Sequence, residues 1–259
     1  MIKKAKYPIL EYCDQQEGVL TRATDTVKTD RATQFPEVAV LAFVKERVIK
    51  AFVKKYGGEK ICSHHTVSKR YPIYKINFKG KDICLCQGAV GAAVSSGIVD
   101  WMTAHGVKKI LACGSCGVLE HFAEGEFLIP TKALRDEGTS YKYLPPDRFV
   151  ELDRCAIKVI EKTLKEKKIK FEECITWSTD GFFRETSEMI DYRKKEGCQV
   201  VEMECASLAA VAKFRGASFG QVLFTADSLA DVENYDARGF GRSTHEAVLH
   251  LCFDIALNF

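Results

Sequence analysis

No apolar run in this 259-residue chain approaches the roughly 20 residues a membrane span requires, so no membrane partner is expected. The opening stretch, MIKKAKYPILEYCDQQ, is basic but lacks the apolar core of a signal peptide. No repeat, low-complexity tract or Pro/Gly/Ser-rich linker divides the sequence, and residues 1–259 read as one domain. Charge of one sign is also missing. Thirty-eight Lys and Arg face 35 Asp and Glu, mixed along the chain, and the net charge of +3 removes the electrostatic case for a nucleic-acid polymer or a membrane surface. A hydrophobic share of 46% is ample for a substantial core.

Cysteine is abundant. Eleven are present, an odd number, in a chain too long to need disulfide staples. Cys84, Cys86, Cys205 and Cys252 sit in apolar segments, where a free thiol behaves as a small hydrophobe. A reducing, cytoplasmic setting is expected.

The segment 37–56 begins after Pro36 and ends at Gly57-Gly58. Its Val40, Val44, Val48 and Phe52 at i, i+4 spacing predict one amphipathic helix. Tyr74, Ile76 and Phe78 alternate with polar residues before Lys79-Gly80-Lys81-Asp82 and Ile83, a hairpin pattern. Helices are expected over 91–105, 149–167, 186–196, 204–215 and 242–257. Strands are expected over 109–113, 126–129, 171–177, 199–203 and 219–226. That alternation predicts an α/β, three-layer sandwich around a central mixed, largely parallel twisted sheet. In such sheets ligands collect beyond the carboxyl ends of strands. GSCG, STDGFF, EMEC and TAD all fall there, which points to a single site.

Residues 110–119, ILACGSCGVL, invite two readings. Cys113-x-x-Cys116 has the spacing of a redox pair, but its flanks lack the pattern of one. A zinc site would need a second ligand pair: Cys84-x-Cys86 is misspaced, and His64-His65 are adjacent rather than i, i+4. No metal or cofactor is therefore expected, and the cysteines are read as filling space. Gly114 and Ser115 are read instead as a turn after a buried strand, aiming N–H groups and a hydroxyl at an anion or sugar.

GVKKILACGSCGVL, TDGFFRET and VVEMECASLAAVA occur in that order and together resemble the nucleoside phosphorylase family, which includes purine nucleoside phosphorylases, uridine phosphorylases and related nucleosidases. RDEGTSYKYLPP resembles a further segment of uridine phosphorylases and of AMP nucleosidases. The resemblance implies cleavage of an N-glycosidic bond, with a nucleoside and inorganic phosphate as partners. It also implies a homo-oligomer, dimer to hexamer, with the site near a subunit interface. It assigns the ribose hydroxyls to Glu204, sugar packing to Met203, and the stacked base to Phe182. Asp227 becomes the acid that protonates a purine.

The residue types suit that chemistry. Glu202 and Glu204 lie two apart at a strand end and can project to one side. A carboxylate there accepts both ribose hydroxyls and stabilises a developing ribosyl cation. Asp227 ends an apolar strand, where burial favours its protonated form. Plainer alternatives stand beside each assignment. Glu204 can simply begin a helix, Asp227 can be an N-cap, and Arg184-Glu185 can be a surface ion pair rather than readers of the base edge. Phe183 is expected in the core. Arg242 and His245, at the start of the last helix, match a base-closing arginine of purine-cleaving relatives only loosely.

One position breaks the pattern. Phosphorylases carry an arginine three residues before the Ser of the turn, and here that residue is Ala112. The Gly-Asp-Pro phosphate loop is absent from the expected stretch, QQEGVLTRATD. A phosphate dianion is costly to hold without a cation. Gly114, Ser115, Arg135, Arg22 and a neighbouring subunit's Arg47 are the candidates for holding it. Water as nucleophile, as in the nucleosidases, is the alternative. A binding protein on the same fold and a thiol oxidoreductase centred on Cys113 and Cys116 are the remaining rivals.

Overall fold

The computed structural model describes residues 1–20 and 34–259. Ten strands form one sheet in the order β10-β6-β8-β9-β5-β1-β4-β3-β2, with β7 also paired to β6. The strands are β1 (Val38–Ala42), β2 (Glu59–His65), β3 (Arg70–Phe78), β4 (Lys81–Gln87), β5 (Lys109–Val118), β6 (Phe127–Asp136), β7 (Phe149–Glu151), β8 (Phe171–Thr179), β9 (Val200–Glu202) and β10 (Ser218–Ser228). The helices are α1 (Glu46–Lys55), α2 (Ala92–Ala104), α3 (Arg154–Glu166), α4 (Ser187–Lys195), α5 (Cys205–Arg215) and α6 (His245–Ala256). Among the described residues no helix is long and apolar enough to cross a membrane.

The centre is parallel: β1 pairs in parallel with β4 and β5, β5 with β10, and β8 with β6 and β9. Antiparallel contacts join β5 to β9 and β10 to β6. Because β10 reaches both β5 and β6, the strands β10, β6, β8, β9 and β5 close into a ring, a feature the local pattern did not suggest. The expected mixed α/β architecture is present, with helices packed against the sheet. α2 and α5 pack together, and α5 also packs on β10; α3 and α6 pack together and reach β10, with α6 crossing β5 and β1. Trp177, Phe219, Phe224 and Phe253 are fully buried within this framework.

Several local expectations change. The predicted helix over 37–56 is two elements. Val38–Ala42 is buried at all five positions, the mark of an interior parallel strand, and the chain breaks at Lys45 (φ −61°, ψ 141°) before α1. The i, i+4 apolar series continued by coincidence across that break. GSCG is not a turn, because β5 runs straight through it to Val118. The helix expected from Phe149 begins only at Arg154. β7 occupies the earlier residues, and Asp153 caps α3 by accepting the Cys155 N–H at 2.8 Å. β2, which the sequence pattern does not mark, pairs antiparallel with β3.

Candidate functional site

The carboxyl ends of β1, β4, β5, β9 and β10 converge on a cavity of about 600 Å³. Glu204 is built into it by two adjoining helix starts. It is the non-helical residue before α5 (φ −138°, ψ −30°), and its Oε1 accepts the N–H of Gly91, the residue before α2, at 2.6 Å. Gly91 has φ 96°, a conformation that costs a side-chain-bearing residue strain, and this aims its N–H at the carboxylate. Burial, and then the charge of Glu202, push the Glu204 carboxyl up to about 8.

Glu202 also borders the cavity, but its oxygens are committed elsewhere. Oε2 accepts the N–H groups of Glu204 and Cys205, both at 2.7 Å, and Oε1 accepts the hydroxyls of Thr176 and Ser178. Ser178 Oγ in turn accepts the Ala206 N–H at 2.9 Å. Glu202 therefore holds the start of α5, a different job from the ribose contact expected of it. Burial raises its pKa and these donors oppose the rise.

Asp227 stands at the far end of β10 and lines the same cavity. Burial raises its pKa, and the Tyr235 hydroxyl donates to Oδ2 at 3.1 Å. Glu185 lies beside it, pushed up to about 7 by burial and then by the Asp227 charge. Phe182 and Phe240 form apolar walls of this lobe. Phe183, expected in the core, is 92% exposed and meets Phe182 edge-on at 5.0 Å. It belongs to a short 3-10 turn, Phe182–Arg184, which has no buried residue.

Met203, Gly114 and Ser115 border the cavity as well. Gly114 has to be small, because a Cβ there would lie 2.9 Å from Phe43 Cβ. The proposed anion-binding arginines do not gather. Arg135 is 4% exposed and bound to structure: Nε donates to Ser140 Oγ (2.9 Å), Nη1 to the Pro145 carbonyl (2.8 Å) and Nη2 to the Leu144 carbonyl (3.2 Å), with Tyr141 under the guanidinium at 4.3 Å. It faces a separate groove with Lys132 and Phe149. Arg184 does not line the cavity either. Arg47 is exposed in the first turn of α1, and Arg22 lies outside the described residues.

Sequence reasoning missed other residues at the cavity. Lys45 and Lys69 bring positive charge to it. Lys69 donates to Gln87 Oε1 at 2.9 Å and sits over the Tyr71 ring. His245, whose match to the family pattern is loose, also borders the cavity; its Nδ1 accepts the Lys45 N–H at 3.2 Å, and burial, then Lys45, Arg47 and Arg242, lower its pKa. The first described segment to reach the cavity is thus the β1–α1 loop, Phe43-Val44-Lys45. The signal lay in VAVLA: read as a buried strand, it would have placed Lys45 at a strand's carboxyl end. Cys113 and Cys116 are buried in β5 at 0% and 2% exposure, and Cys113 meets Cys252 of α6. Among the described residues no group of three or more His, Cys, Asp or Glu is arranged to hold a metal ion.

Comparison with known proteins places this geometry in context. The model of a family described as the phosphorylase superfamily matches residues 37–251. A guanosine phosphorylase of Halorubrum lacusprofundi is 26% identical over 156 residues, which cover 60% of this chain and 65% of the relative, so the chain spans just under two thirds of that relative's length. The structure of a uridine phosphorylase from Vibrio fischeri superposes with TM-score 0.75 at 19% identity, covering 91% of this chain and 98% of that one. An AMP nucleosidase from Bacteroides thetaiotaomicron superposes with TM-score 0.70 at 21% identity, covering 86% and 88%. At these identities the solved structures speak for the fold.

Proposed function

We propose a function from one premise: the chain belongs to the phosphorylase superfamily. The protein is a pentosyltransferase that breaks the C1′–N bond of a purine nucleoside and passes the pentosyl group to inorganic phosphate. One observation carries the reading. A buried carboxyl at a helix junction, Glu204, and a buried carboxyl beside a tyrosine, Asp227, border a single cavity.

As the C1′–N bond breaks, its electron pair leaves with the base and positive charge grows on the sugar. Glu204, ionised, accepts the ribose hydroxyls and stabilises that charge, with Met203 against the sugar. Asp227, protonated, gives its proton to the departing base nitrogen. Phe182 packs on the base, and Glu185 reads its edge. Phosphate oxygen attacks C1′ from the side of Gly114 and Ser115, and Lys45 and Lys69 supply the cationic surroundings that Arg135 does not. A purine is favoured because a carboxylic acid at Asp227 matches a basic ring nitrogen, and a relative named guanosine phosphorylase agrees with it. The exposed aromatics at the mouth, Phe183, Tyr235 and Phe240, support assembly into a homo-oligomer.

Ala112 favours a second reading, in which water is the nucleophile and the products are base and free pentose. The deciding measurement is base release from purine nucleosides with and without inorganic phosphate. Phosphate-dependent release with formation of pentose 1-phosphate supports phosphorolysis, and equal rates leave hydrolysis.

A further inference from the structure

Gln221 is 1% exposed, lines the cavity, and its Oε1 has no hydrogen-bond partner among the described residues. A buried amide oxygen left unpaired is destabilising, so an otherwise well-satisfied fold keeps one mainly where something else completes it. The strand register says where that something lies. Gln221 of β10 pairs in parallel with Ala112 of β5, and Leu223 with Gly114, so Gln221 lies next to Ala112 and one pleat below Gly114. A Cβ on the preceding Gly220 would meet Ile160 and Ala156 of α3, so Gln221 points to the opposite face, the side of Gly114 and Phe43.

We propose that Gln221 binds the attacking nucleophile, and that the nucleophile is a protic oxygen species whose O–H donates to the amide oxygen. This inference rests on the proposed glycosidic-bond cleavage. An amide offers an acceptor and donors but no charge. Neither it nor its register partner Ala112 brings charge, so at the amide oxygen a fully deprotonated dianion finds an acceptor it cannot use and a hydroxyl-bearing species finds a partner. Two species share that chemistry: water, and phosphate still carrying a proton. Sulfate, an anion of the same shape without a proton at neutral pH, is disfavoured.

The test compares wild type with Q221L and Q221M, which keep bulk and remove the amide, by steady-state base release, and by ³¹P line broadening of inorganic phosphate with sulfate as competitor. If protonated phosphate is the nucleophile, release depends on phosphate, sulfate competes poorly, and the variants raise the phosphate KM at least ten-fold while the nucleoside KM stays within two-fold. If water is the nucleophile, release is phosphate-independent, and the variants lower kcat at least ten-fold at unchanged nucleoside KM. Q221E separates the two further: it repels phosphate but retains an acceptor for water. A folded Q221L or Q221M with wild-type phosphate KM and wild-type kcat overturns the inference, and so does sulfate competing as well as phosphate binds. Should Q221L fail to fold, Q221M carries the comparison, and should both fail, Q221A does, with unchanged phosphate KM and kcat overturning the inference. If wild type releases no base from any nucleoside, the proposed function fails; the inference then stands or falls on phosphate broadening that the variants lose.

Discussion

Glu202 Oε2 accepts the backbone N–H of Glu204 at 2.7 Å, so one of two neighbouring carboxylates holds the other in place. Two residues of the same type, alike in sequence, are thereby given different tasks. Glu202 anchors the start of α5, and Glu204 turns its carboxyl to the cavity.

Glu204 should set an alkaline-rising limb in kcat/KM. In the proposed reaction its carboxyl, raised to about 8, has to ionise to accept ribose hydroxyls strongly, so activity should climb as pH approaches that value. E204Q should lose activity by about 100-fold, the equivalent of one or two charge-assisted hydrogen bonds, and its limb should flatten. Stability carries the opposite slope. Below the ordinary glutamate range the group is protonated folded and unfolded alike. As pH rises from there towards about 8 only the unfolded state releases the proton, so stability falls across that window. Denaturant titrations of E204Q should lack this component; an unaltered slope would contradict it.

E202A should damage the fold before it damages chemistry. It strips the acceptor from two backbone N–H groups and two hydroxyls in a buried place, costing about 2–4 kcal/mol. A lowered melting temperature with weakened nucleoside binding is expected. Full stability in E202A would mean that water or a rearranged side chain replaces it.

D227N should reduce kcat/KM for neutral purine nucleosides by about 100- to 1000-fold, the usual range for a lost general acid. A nucleoside whose base already carries a positive charge leaves without that proton and should lose less than about ten-fold. Equal losses on both substrates would remove Asp227 from the acid role.

R135A should cost about 2–4 kcal/mol of stability, because it empties a buried site with three hydrogen bonds and a stacked tyrosine. The phosphate KM of the folded fraction should stay within about two-fold of wild type. A large rise in phosphate KM at normal stability would return Arg135 to the site.

Thiol labelling of the native protein should be fast at Cys155, which is exposed, and slower at Cys13, which is half-buried. The other nine cysteines are buried and should react only on unfolding. C113S/C116S should retain base release, since neither sulfur reaches solvent as a redox pair must.

The sequence by itself determined the α/β class, the order of most later elements and several of the segments that line the cavity. These are local or short-range properties: apolar periodicity marks β8, α4 and α5 within a few residues, and TDGFF and VEMEC stand at strand ends wherever the sheet goes. Tertiary structure decided what pairing across the chain decides. Five strands close into a ring because β10 reaches both β5 and β6, contacts between residues more than 90 positions apart. VAVLA and FVKERV share one apolar period, and only burial on both faces of the sheet made the first a strand and brought Lys45 to the cavity. Arg135 looked like an anion ligand until its own loop filled its hydrogen bonds. Gln221 carried no motif at all. Its place beside Ala112 comes from strand register, which no single segment encodes.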